Sequence, residues 1–152
     1  MTPKILQEMT GFETLQRQIA EGRRAPMGET LDFRLVEVGE GVAVFAASPG
    51  PHTYNPQGTV HGGYSAALLD SACGCAVHSC LGADQGYTTI ELKVAYHRPI
   101  TIETGPVRAE AMVISIGKRI AFTEARLIDA AGRVYASATS TLLVVQRNSV
   151  PD

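Results

Sequence analysis

Between Val60 and Leu81 the chain is almost entirely small or apolar, and a single carboxylate, Asp70, stands near the middle of that stretch. A run of this length is too long for a strand and reads as one long helix. Its apolar residues fall on nearly every side, so no face of the helix can be left to water. The helix has to be wrapped. Lipid does not serve, because a central Asp is costly there and His78 and several glycines interrupt the run. A β-sheet curled around the helix supplies most of the cover, and a second subunit can supply the rest.

The segments on either side provide such a sheet. Ile5, Leu6, Met9, Phe12, Leu15 and Ile19 recur at steps of three and four, predicting an amphipathic N-terminal helix over about 3–22 with Thr2 as N-cap and Pro3 at the first helical position. Gly22 to Pro26 ends it. Strands are expected over 31–38 and 42–46, joined by a turn at Gly39-Glu40-Gly41, and the Pro- and Gly-rich segment 48–58 must be loop. After the long helix, Ile90, Leu92, Val94 and Tyr96 alternate with Thr89, Glu91, Lys93 and Ala95, and Arg98-Pro99 closes that strand. Turns at Gly117-Lys118 and Asp129 to Gly132 divide the remainder into strands over 107–116, 119–128 and 134–146. Alternation leaves the inward face of the last strand open. The expected architecture is α+β, an antiparallel sheet packed on one helix, as a single domain over 1–152 with its core at about 30–146.

A net charge of −2 and a pI near 6.1 argue against nucleic acid as a partner. Cys73, Cys75 and Cys80 are odd in number and crowded together, which suits free thiols in a reducing compartment better than a disulfide framework or a zinc site. The first residues carry charge early and lack the apolar run of a secretory signal, so a cytoplasmic protein without a membrane partner is expected.

On a helix of 100° per residue, Asp70 shares its side with Gly63, Ala66, Ala67, Cys73, Gly74 and Val77. That face is shaped for close approach. A carboxylate partly stripped of water is the stronger base, suited to activating water or attacking an acyl carbon. Gly62 and Gly63 open the helix with unpaired backbone N–H groups at the positive end of its dipole, the description of an oxyanion site. Gly62 and Asp70 are eight residues apart, about 12 Å along a continuous helix. One small reacting group cannot touch both, so a shared site requires the helix start of one protomer to face Asp70 of another in a symmetric dimer.

Three segments together resemble the PaaI-type hotdog-fold thioesterases: Asn55-Pro56-Gln57-Gly58-Thr59-Val60-His61-Gly62-Gly63, Ala67-Leu68-Leu69-Asp70-Ser71-Ala72, and Thr88 through Pro99. The similarity continues through Gly117-Lys118-Arg119 and Ala121 to Ala125 into the last strand. It implies an antiparallel sheet around the central helix, homodimers that associate into homotetramers, and hydrolysis of acyl-CoA. It further implies Asp70 as general base or nucleophile and the Gly62 amide on the thioester carbonyl. Asn55 would hold the carbonyl or water, with His61 in support. Thr89 matches a position where some relatives place a hydroxyl that orients the attacking water. In 4-hydroxybenzoyl-CoA thioesterases the acid is Glu and a Thr one turn later assists; here that later position is Gly74, and Thr89 is the replacement.

Lys118 and Arg119 at their hairpin turn, and Arg98, are candidates to bind CoA phosphates. CoA would enter as part of the substrate; no cofactor or metal is expected. A serine esterase lacks its Gly-x-Ser-x-Gly elbow here, since Gly63-Tyr64-Ser65-Ala66-Ala67 fails at its last position. The competing functions are a hotdog dehydratase or hydratase and a non-catalytic acyl-CoA-binding protein.

Overall fold

The computed structural model describes residues 9–147. Two short helices, α1 (Gly11–Ala20) and α2 (Pro26–Leu31), precede β1 (Phe33–Gly39) and β2 (Val42–Ala47). The long helix α3 (Gly62–His78) follows, and then β3 (Gln85–Tyr96), β4 (Val107–Ile116), β5 (Ile120–Asp129) and β6 (Val134–Gln146). The strands form one antiparallel six-stranded sheet in the order β1-β2-β4-β5-β6-β3. Its inner face curls around α3, which touches every strand. This is the hotdog arrangement. Leu68, Leu69, Ala72, Cys73, Ala76 and Val77 are completely enclosed, and each fully buried Leu contributes on the order of 1.5–3 kcal/mol. Among the described residues no helix is long and apolar enough to cross a membrane.

The N-terminal segment differs from expectation. Thr2 and Pro3 lie outside the described residues, and α1 starts at Gly11, where Thr10 and Glu13 form a reciprocal capping box. Gly11 sits against the end of α3: a β-carbon there would lie 1.8 Å from the His78 carbonyl oxygen, and its own N–H donates to Leu81 O at 2.9 Å. Pro26 marks the first turn of α2 as well as the end of the preceding segment. Asp32 closes α2 in the left-handed region, φ 57°, so β1 begins only at Phe33.

In β6 the inward positions are Ala136, Ala138, Ser140, Leu142 and Val144. The neighbouring β3 breaks its alternation. Thr89 pairs with Leu142 and Glu91 with Thr141, leaving Ile90 as the extra residue of a bulge, 55% exposed. Opposed residues share a face, so Thr89 joins Leu142 inside, as Leu92 joins the buried Ser140 on the far side of the bulge. Ser140 Oγ donates to the Glu91 carbonyl at 2.8 Å and so holds the bulged backbone.

Candidate active site

Asp70 is half-buried on α3, and Thr89 Oγ1 donates to its Oδ1 at 2.9 Å. Strict alternation along β3 would have placed Thr89 with the exposed Glu91; the bulge turns it inward instead. One turn beyond Asp70, Gly74 leaves room for Tyr87, whose Cε2 would stand 2.9 Å from a β-carbon at that position. The small-residue face is therefore closely approached on this side, as its composition suggests. Asp70 makes no ion pair among the described residues. Loss of water pushes the Cys73 thiol up to about 11 and the Cys75 thiol up to about 12, so both are protonated and poorly nucleophilic near neutral pH. Among the described residues no cluster of His, Cys, Asp and Glu is placed to hold a metal ion.

At the start of α3, His61 Nδ1 accepts the Gly63 N–H at 2.8 Å and so caps the helix. The Gly62 N–H has no acceptor among the described residues. Tyr96 Oη donates to the Gly62 carbonyl at 2.6 Å, tying this glycine to the end of β3. Asn55 Oδ1 accepts from Gln57 N at 2.9 Å and Thr59 N at 3.3 Å, while its Nδ2 donates to Thr59 Oγ1 at 3.0 Å. The side chain thus stiffens its own loop. A cavity of about 320 Å³ brings Asn55, Gly62, Tyr96 and Arg98 together.

The predicted residues therefore fall into two groups within one chain. Asn55, His61, Gly62 and Arg98 gather at the start of α3, whereas Asp70 and Thr89 lie further along the helix and outside that cavity. The exposed Lys118 and Arg119 line a separate cavity of about 480 Å³ with the end of β6. Since α3 is unbroken from Gly62 to His78, the separation of about 12 Å between the two groups holds. Tyr96 and Tyr87 are additions to the predicted set; their only signal was an aromatic ring toward either end of β3.

The sequence profile of the thioesterase superfamily matches residues 57–136, which include Gly62, Asp70 and Thr89. A protein of Halobacterium salinarum whose name assigns it as an esterase is 36% identical over 95 residues, 61% of this chain; the chain spans 60% of that relative's length. The structure of a variant of the phenylacetic acid degradation protein PaaI from Thermus thermophilus is 26% identical, with a TM-score of 0.71 over 78% of this chain and 98% of that one. A Haemophilus influenzae thioesterase, 20% identical, shares the fold with a TM-score of 0.78 over 93% and 94% of the two chains. On the profile match across more than half its length, around a helix and sheet arranged as in these structures, this chain belongs to the thioesterase superfamily.

Proposed function

We propose that this protein is an acyl-CoA thioesterase, hydrolysing the thioester to free CoA and a carboxylic acid, and that it works as a homodimer further paired into a homotetramer. The observation that carries the proposal is the Thr89–Asp70 hydrogen bond, which fixes a carboxylate that has no ion-pair partner among the described residues, on a face open to close approach. With Oδ1 held by Thr89, Oδ2 is left to take a proton from water. The water oxygen bonds to the acyl carbon while the carbonyl oxygen, gaining charge, rests on the Gly62 N–H; the C–S bond then breaks and the thiolate leaves with the proton from Asp70. Thr89 thus orients the base, and its hydroxyl oxygen can still accept from the attacking water. Direct attack by Asp70 uses the same carboxylate and passes through an anhydride. Single turnover in heavy-oxygen water separates the two, since only the anhydride route carries label into Asp70.

Distance and the sheet both support the dimer. β3 is an edge strand with unpaired backbone groups, and pairing two such edges about a two-fold axis brings the Asp70–Thr89 end of one strand toward the Tyr96–Gly62 end of the other. Arg98, beside Gly62, and Lys118 with Arg119 are the groups assigned to the CoA phosphates. The test follows thiol release from a panel of acyl-CoA esters. The wild type turns over at least one of them, and Asp70→Asn lowers kcat by about 10²–10⁴ while remaining folded. Wild-type activity in a folded Asp70→Asn protein contradicts the assignment.

A further inference from the structure

A further cavity, of about 300 Å³, lies between α1, α2, β1 and α3. One end is formed by Ser71, Cys75 and Tyr87. Ser71 follows Asp70 on α3, and Tyr87 lies on the same face of β3 as Thr89, against Gly74, so this end adjoins the carboxylate. Phe33, Leu35 and Phe45 make an apolar wall, the two rings meeting edge to face at 5.8 Å. The other end carries Gln18, Arg24 and Arg34, which also line an adjoining groove of about 250 Å³ that Arg23 joins.

The charge of this cleft is one-sided. Neither lining contains an Asp or Glu. Arg23 pairs with Glu21 and Arg24 with Asp32, but Arg34 makes no ion pair among the described residues. Burial holds His78, which also lines the cavity, toward its neutral form. Arg34 is exposed beside this cavity and its guanidinium offers a methyl-ended chain nothing, whereas a carboxylate matches the guanidinium fork with two parallel hydrogen bonds.

Building on the thioesterase function proposed above, we infer that this cavity receives the acyl group, and that Arg34, with Arg24 and Gln18, binds a carboxylate at its far end. The substrate class is then the CoA thioesters of dicarboxylic acids. The experiment measures thiol release from ω-carboxyacyl-CoA esters, succinyl through sebacoyl, each against the straight-chain acyl-CoA of equal length. At one or more lengths the carboxylate-ended ester is preferred in kcat/KM by roughly tenfold or more. Arg34→Gln removes that preference by raising KM for the carboxylate-ended ester, leaves the methyl-ended ester unchanged, and Arg34→Lys retains part of the preference.

Turnover of methyl-ended esters with no preference at any length overturns the inference and leaves the thioesterase function standing. An equal loss on both series in Arg34→Gln also overturns it, assigning the arginine to the CoA phosphates. Absence of thiol release from every ester refutes the thioesterase function itself.

Discussion

Asp70, Thr89, Gly62 and Tyr96 form two hydrogen-bonded pairs, each joining one residue of α3 to one of β3. In the proposed reaction the pairs divide the chemistry: the first would hold the base, and the second ties down Gly62, whose own N–H has no acceptor among the described residues. Tyr96→Phe keeps the ring against Gly62 and removes only the donor, so kcat falls by about three- to tenfold with KM little changed; steady-state kinetics checks this, and an unchanged kcat removes Tyr96 from the site. The thiols stripped of water make a separate prediction. Cys75 ionises near 9 when unfolded and near 12 when folded, so its contribution to stability is full below about pH 9 and is lost as pH rises toward 12, while the unfolded chain alone gives up its proton. The melting temperature of the wild type therefore falls more steeply between about pH 8 and 10.5 than that of Cys75→Ala. Equal slopes would contradict the desolvation of this thiol.

At the scale of elements, the long helix and the succession of strands along the chain could be read because period and turn chemistry agree there, whereas the place of β3 at the sheet edge could not. The inward placement of Thr89 could not. A bulge carries no mark in Thr88-Thr89-Ile90-Glu91, and it depends on Ser140 of a different strand reaching the Glu91 carbonyl. The same limit applies to α2, only six residues long, whose starting Pro26 also reads as a terminator of what precedes it. The serine is a polar residue spent inside an apolar face for this purpose. Ser140→Ala leaves the carbonyl without its donor, costing about 1–3 kcal/mol by chemical denaturation, and lowers kcat by loosening Thr89 against Asp70. A loss of stability at full activity would show that the bulge does not position the site.

For the whole molecule, the residues that resemble known thioesterases were legible in the sequence, and so was the distance that keeps Gly62 from Asp70. What the sequence left open is the division of the cavities: Arg98 falls with Gly62, whereas Lys118 and Arg119 stand apart from it. Grooves at α1, α2 and β1 could not be foreseen without α2. The central claim is a site completed across two subunits, and mixed dimers test it. Asp70→Asn and Asn55→Ala subunits are each predicted to be nearly inactive alone. Unfolded and refolded together in equal amounts, they form mixed dimers in half of the cases, and each mixed dimer keeps one intact site of two. Recovery of about one quarter of wild-type activity is predicted; activity no greater than the sum of the separate variants would contradict a shared site.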